Sequence, residues 1–426
     1  MGPDLSGRFQ LQWATSVQTS LDPRQPGRRE RARCTHALYT LPCQAVTTII
    51  LCAGEASGDQ LGAGLIAELR VRRPELKFAG IGGPAMRAAG MDTWWDAQEL
   101  AVMGLVEVLR HLPRLLRLRR EFVARIAESG AAIYIGIDAP DFNLGIERRL
   151  KARGLPTMHY VSPSIWAWRQ GRARSIGECA DRVLCLFPFE PELYARHGVD
   201  ARFVGHPFAD EMPLEVDRAS ARRALGMRDD LRLLALVPGS RRGEIERLGS
   251  DFLGAAALLC ARRPDFGVLI AASNEALAIR LRQLLEQRPE LAARACIVVG
   301  RMREVLAACD LALVASGTAT LETALSRRPM VVGYRIAPLT YWIVRTLRLL
   351  KVRHYSLPNV LAGRDLVAEI SQHQLTPESL TQALERWLED PTAVESFETT
   401  CDEIHRRLRC NASARAAEAV LERLPC

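Results

Sequence analysis

The chain has 426 residues, 48% of them hydrophobic and 25% charged, the make-up of a folded soluble protein with room for two or three domains. Fifty-seven Lys and Arg against 49 Asp and Glu leave a net charge of +8, which favours phosphates, nucleotides or anionic lipid surfaces but lacks the clustering expected of a nucleic-acid binder. Eleven cysteines without a C-x-x-C pair or zinc spacing argue for reduced thiols and a cytosolic protein, and no apolar run reaches the roughly 18–20 residues of a spanning helix.

Residues 1–44 show no hydrophobic periodicity and an Arg-rich piece at 24–33. They lack the apolar h-region of a signal peptide, so they read as a disordered extension or an over-long gene start, set apart from the fold. From residue 46 the pattern alternates. Strands are expected at 46–53, 76–81, 131–137, 156–161 and 182–187, with helices at 60–72, 113–128, 142–153 and 171–179. A stretch rich in Pro and acidic residues, 205–219, interrupts this. The alternation restarts with strands at 232–237, 267–272, 295–299, 311–314 and 330–334, separated by helices at 244–262, 275–288, 302–308 and 318–327. The end of the chain, 377–424, reads as helical and amphipathic. Alternation of this kind implies parallel sheets covered on both faces. The expected fold is therefore α/β: two Rossmann-like domains facing a central cleft.

Five segments could carry chemistry. In the first, 46–64, a β-branched run drops into AGEASGD. Gly54 and Gly58 allow a tight turn and close approach to a ligand, Ser57 and Asp59 are natural N-caps, and Glu55 places a carboxylate in the turn. The segment matches neither dinucleotide nor P-loop fingerprints. In AAIYIGIDAPDFN, 131–143, an apolar run leads to Asp138, with Asp141 three residues on. A carboxylate at the carboxyl end of a parallel strand faces the ligand crevice and can serve as a general base. The plainer reading is that Asp138 orders the loop and Asp141 caps a helix.

In LVPGSRRGEIERL, 236–248, a strand ends in a loop holding Ser240 and Arg241 at a helix start, a place for a diphosphate held by backbone amides and a guanidinium. VASGTATLETAL, 314–325, offers a second such entry at Ser316, Gly317 and Thr318, with Glu322 one turn in, where a ribose hydroxyl pair could be reached. HYVSPSIWAWRQGR, 159–172, sets Trp166, Trp168 and Arg169 in a short loop, suited to a sugar face and a phosphate or simply to plugging a core. His159 and His206 read as structural. Two basic amphipathic stretches, 102–122 and 338–353, suit a membrane interface or a core-facing helix with a solvated face.

With these residues in view the chain resembles the lipid-A-disaccharide synthases, inverting glycosyltransferases of the B-type fold, from residue 46 to the C-terminus. The resemblance rests on AGEASGD (53–59), ELAVMGLVEVL (99–109), GIDAPDFN (136–143), HYVSPSIWAWRQ (159–170), PGSR (238–241), ASGTATLE (315–322), PMVVGYR (329–335) and SLPNVLAG (356–363). It implies transfer from UDP-2,3-diacylglucosamine to 2,3-diacylglucosamine 1-phosphate at the cytoplasmic face of the inner membrane, with the protein peripheral and no metal or other cofactor. It also implies an acceptor domain at 46–210, a UDP-sugar domain at 215–394 and a C-terminal helix, about 395–426, returning to the first domain. The implied roles are Asp138 as base, Arg241 and two helix N-termini on the departing UDP, Glu55, Ser57 and Gly58 near the sugars, and Asn359 reaching in from the facing domain. A related 2-epimerase or an undecaprenyl-linked N-acetylglucosaminyltransferase shares this fold, and a non-catalytic membrane-surface binder is a third reading. Long C-terminal helices of this kind can exchange between subunits, so a homodimer is among the expected partners.

Overall fold

Runs of buried β-branched and aliphatic residues form the central strands of two sheets. The computed structural model describes residues 47–100, 105–168, 171–336 and 353–424. The first sheet has seven strands in the order β3-β2-β1-β4-β5-β6-β7, namely β1 (Thr48–Ala53), β2 (Lys77–Gly82), β3 (Asp92–Asp96), β4 (Ala131–Ile137), β5 (Thr157–Tyr160), β6 (Arg182–Cys185) and β7 (Ala201–Phe203). The second has six, in the order β10-β9-β8-β11-β12-β13: β8 (Arg232–Val237), β9 (Phe266–Ala272), β10 (Ala295–Val299), β11 (Leu311–Ala315), β12 (Met330–Tyr334) and β13 (Ala368–Ser371). Every pairing is parallel. Both orders are doubly wound, and each reverses direction once, between β1 and β4 and between β8 and β11. Such switch points open a crevice at the carboxyl ends of the strands.

Helices cover both faces of each sheet, so the central strands are buried almost throughout, as all-parallel sheets require. The first sheet carries one core built on Ile49, Leu51, Leu65, Ile66 and Ile135. A second, on its other face, is built on Ile50, Ile81, Phe122 and Tyr134. In that second core Trp94, Trp95 and Tyr134 surround Phe122 edge-on at centroid distances of 5.7–6.1 Å. Arg125 lies over Trp94 at 4.4 Å. These contacts seat the helix Leu105–Glu128, which begins well before the expected residue 113 and holds Pro113 inside it.

The strands the sequence reading missed are β3, β7 and β13. All three are edge strands with few or no fully buried residues, and so they lack the continuous apolar run that marked the others. The first helix also differs from expectation. It starts at Ala56 rather than 60, because Gly58 lets its first turn press on the sheet: a Cβ there would stand 3.3 Å from Ala53 Cβ and 3.5 Å from the Ile137 carbonyl.

Two chain segments join the halves. Outbound, Gly205 (φ 101°) leads to the short helix Pro207–Glu211, and Ala209 and Met212 already belong to the core of the second sheet. The return differs from the expected boundary at 395. The helix Pro391–Leu408 sends Phe397, Cys401, Ile404 and Leu408 into the second sheet's core. The chain turns at Asn411 (φ 60°), and the helix Ala412–Leu421 then packs Ala416, Ala417, Ala419 and Val420 onto the first sheet's core. The two segments are tied together: the His206 amide donates to Leu408 O (3.0 Å), and the amides of Asn411 and Ala412 donate to the Asp210 carboxylate at 2.8 and 2.6 Å. Buried Arg182 fixes the last helix to β6, donating to Ala419 O and Glu422 and pairing with Asp200, each at 2.9 Å.

Candidate active site

The switch point of the first sheet places two of the expected segments side by side. Ala53 of β1 and Ile137 of β4 are register partners, so the loop carrying Glu55 continues beside the one carrying Asp138. A Cβ on Gly54 would stand 3.5 Å from Ala139 Cβ. Glu55 is the N-cap residue of the first helix yet its side chain makes no capping bond. Glu55 and Ser57 are exposed and Gly58 is buried. Asp59, expected as a cap for its own helix, serves another instead: its buried carboxylate accepts from the amides of Gly83, Ala85 and Met86 at 2.7, 2.8 and 3.1 Å. It thereby builds the start of the helix Pro84–Ala88.

Asp138 follows the last residue of β4 directly. Its backbone and that of Ala139 are left-handed, at φ 51° and 43°, a conformation that L-residues with a Cβ adopt at a cost and that recurs at functional turns. The Asp138 amide donates to Tyr160 O at 2.8 Å. The side chain is half-buried, and among the described residues no hydrogen bond or ion pair engages its carboxylate. Asp141 is exposed in the first turn of the helix Pro140–Lys151, where its charge complements the helix N-terminus.

Behind this turn lies a polar cluster the sequence reading passed over. Asn143 ends GIDAPDFN, but nothing in its spacing marks a buried amide. Its Nδ2 donates to Asp138 O at 2.8 Å and reaches Ile137 O and Cys52 O at 3.3 Å, while Tyr134 Oη donates to its Oδ1 at 2.9 Å. Next to it His159 Nδ1 meets Glu147 at 2.7 Å, both fully buried, so the structural reading of His159 fits. Burial drives the Glu147 carboxyl above its ordinary range, with His159 pulling it back.

Trp166 is half-buried and meets Phe189 edge-on at 6.0 Å. Phe189 stacks on Phe187 (5.8 Å), Phe187 meets His206 at a tilt (5.5 Å), and His206 meets Phe208 at a steeper one (5.0 Å). Arg303 of the second half covers Phe208 at 5.2 Å and donates to Glu322 at 3.1 Å and Glu211 at 2.8 Å. This row of contacts runs from the tryptophan loop of the first half to Glu322 of the second. The segment expected at 338–353 falls mainly outside the described residues, as does Arg169.

The second switch point brings the remaining segments together. Val237 of β8 and Val314 of β11 are register partners, so the loop of Ser240 and Arg241 lies beside that of Ser316, Gly317 and Thr318. Gly239, at φ 117°, turns the chain into the helix Arg242–Arg262. The amides of Ser240 and Arg241, read from sequence as diphosphate donors, give their protons to Glu244 at 2.9 and 3.2 Å. The Arg241 guanidinium itself is two-thirds exposed and 3.8 Å from Glu244. It shares no ion pair with Asp138.

Ser316 Oγ donates to Tyr355 O at 3.4 Å, and Gly317 and Thr318 are exposed at the start of the helix Thr318–Leu325. Burial raises the Glu322 carboxyl and Arg303 opposes the rise. Asn359, expected to reach toward a ligand, has a different task. It is buried, donates to Val367 O and Glu369 at 3.0 and 2.9 Å, and accepts from the amides of Leu366 and Val367 at 2.8 Å each. Its amide is fully engaged in building the turn that carries 353–359, together with Glu369, which holds the amide of Ser356 at 2.8 Å.

Two doubly wound sheets with paired switch-point loops, one presenting a carboxylate and the other an Arg and two helix starts, define a two-domain glycosyltransferase of the B-type fold. Solved structures with this architecture include the glycotransferase of kitacinnamycin, at TM-score 0.57 and 15% identity over 89% of this chain and 99% of that one. Another is the UDP-GlcNAc 2-epimerase from Neisseria meningitidis, at TM-score 0.60 and 11% identity over 88% and 99%. Within that class the chain belongs to the lipid-A-disaccharide synthetase family, whose model matches residues 49–422. It is 55% identical over 376 residues to the lipid-A-disaccharide synthase of Xanthomonas campestris pv. campestris strain 8004, covering 88% of this chain and 86% of that one. It is 54% identical over 377 residues to that of Xylella fastidiosa strain 9a5c, covering 88% and 98%. Its activity is the synthesis of the lipid A disaccharide.

Proposed function

We propose that the reaction runs as an in-line displacement with Asp138 as general base. The donor is UDP-2,3-diacylglucosamine and the acceptor is the 6-hydroxyl of 2,3-diacylglucosamine 1-phosphate. The acceptor oxygen forms its bond to the donor's anomeric carbon as the bond from that carbon to the diphosphate oxygen breaks. The hydroxyl proton passes to the Asp138 carboxylate, and UDP leaves with the electron pair. The anomeric configuration inverts. Glu55, Ser57, Gly58 and Trp166 line the acceptor side. Arg241 and the N-termini of Arg242–Arg262 and Thr318–Leu325 oppose the charge that develops on UDP, and Glu322 meets the ribose. Asn359 contributes by shaping the 353–359 turn next to Ser316.

The observation that carries this reading is the Asp138 turn: a half-exposed carboxylate at the switch point, held by its backbone and without a partner among the described residues. Asp138→Asn should leave the melting temperature unchanged and lower kcat by about 10² to 10⁴, the usual scale of a lost general base. A variant that folds and turns over at the wild-type rate removes the assignment.

The protein works at the cytoplasmic face of the inner membrane as a peripheral enzyme. Among the described residues no helix is long and apolar enough to cross a membrane. The helix Leu105–Glu128 exposes Leu112 and Leu116 beside Arg114, Arg117 and Arg120, a composition suited to an anionic interface. A homodimer formed through the C-terminal helices accompanies this reading, and light scattering at working concentration tests it.

A further inference from the structure

We propose that Asn143 is the positioning residue for Asp138, acting from behind the strand through the Asp138 main-chain carbonyl. The inference rests on the reading of Asp138 as the base. Two consecutive left-handed residues with side chains, Asp138 and Ala139, cost about 1–2 kcal/mol each, so the surrounding structure must hold them. The Asp138 amide is tied to β5 by Tyr160 O, and the Ala139 carbonyl accepts from the amides of Phe142 and Asn143, both at 3.0 Å. The Asp138 carbonyl is held by Asn143 Nδ2 at 2.8 Å. Asn143 thus grips both strained residues, one with its main chain and the other with its side chain.

The same NH₂ group faces the carbonyls of Ile137 and Cys52, the ends of the two strands that flank the switch point. Only a donor suits that position. An aspartate would set its oxygens against three carbonyls, and an alanine would take this donor from the Asp138 carbonyl. Tyr134 Oη fixes which way the amide points, by donating to Oδ1 at 2.9 Å. The close approach of helix to strand depends on Gly136, where a Cβ would stand 2.8 Å from Asn143 Cβ. Asn143 is fully buried and does not meet substrate, so it sets where the Asp138 carboxylate stands and takes no proton itself.

A double-mutant cycle tests this, with UDP release measured from UDP-2,3-diacylglucosamine and 2,3-diacylglucosamine 1-phosphate at high enzyme concentration. Asn143→Ala should lower kcat about 30- to 100-fold, with KM for the donor within about threefold, because a misplaced base costs on this scale. In the Asp138→Asn background the same substitution should cost less than about threefold, since residues acting through one another are not additive. An equal loss in both backgrounds, or no loss in either, overturns the inference. Full turnover by Asp138→Asn alone is a different result, which removes the base itself. Tyr134→Phe deletes only the hydroxyl that orients the amide. It should lower kcat about fivefold in the wild-type background and not in Asp138→Asn, and it carries the test if Asn143→Ala does not fold. Tyr134→Phe with unaltered kcat then overturns the proposal.

Discussion

Burial gives single residues opposite roles in this chain. Glu190 is 1% exposed, and desolvation pushes its carboxyl up to about 8, against the pull of the Phe187 amide, Ser162 and the Leu186 amide. The folded protein therefore keeps that proton well past the pH at which the unfolded chain, with an ordinary carboxyl, releases it. Between pH 4.5 and 8 the native state binds more protons than the unfolded state. Stability from this group is whole below 4.5 and declines as pH rises, by about 1.4 kcal/mol per unit, until the folded group ionises. Glu190→Gln keeps an acceptor for the Phe187 amide and cannot ionise. Urea unfolding at pH 5, 7 and 9 should show the variant gaining on wild type at each step, and a constant difference across that range would contradict the assignment. Little of this was legible beforehand. Asp59 reads as a cap for its own helix, and the family resemblance places Asn359 near the ligand. Asp59 and Asn359 are instead buried framework, each satisfied by backbone groups more than five residues away, and such partners leave no local pattern.

At the scale of elements, the central strands were plain because a strand buried on both faces must be apolar throughout. β3, β7 and β13 were not, since one side of each meets solvent. The amphipathic helices of the last fifty residues were visible as well, but their partners were not. Both Pro391–Leu408 and Ala412–Leu421 present an apolar stripe, and periodicity does not say which core receives it. The break at Asn411 decides this, and Asp210, two hundred residues earlier, stabilises it by capping two amides of the final helix. Asp210→Ala should cost about 1 kcal/mol, the usual loss for an N-terminal cap, and should speed hydrogen exchange in 412–421 ahead of the helices on the second sheet. Asp210→Asn, which keeps one acceptor oxygen, should fall between. Uniform exchange acceleration over the whole protein would show that the cap is not local to the last helix.

For the whole molecule, two parallel sheets follow from strand-helix alternation, whereas the strand order that sets the switch points does not, and the membrane contact proposed above rests on surface features of one helix. On that proposal the net charge of +8 favours anionic lipid, and each basic residue near such a surface contributes about 1 kcal/mol at moderate salt. Charge alone would hold any face of the protein. The helix Leu105–Glu128 adds direction, because Leu112 and Leu116 lie one turn apart and are 41% and 37% exposed, with Arg117 and Arg120 on the same stretch. Moving the uncovered part of each leucine out of water is worth about 1 kcal/mol, so the pair supplies roughly 2 kcal/mol, about a 30-fold difference in binding. Neither side chain enters a core cluster, so replacing both with glutamate should not unfold the protein. Leu112→Glu with Leu116→Glu should therefore reduce binding to vesicles of phosphatidylethanolamine and phosphatidylglycerol by at least that factor in a flotation assay, while thermal stability stays within a degree or two. Wild type should itself leave the vesicles as NaCl rises, because screening weakens the arginine contribution. Equal flotation of the two proteins at every salt concentration would move the contact surface away from this helix.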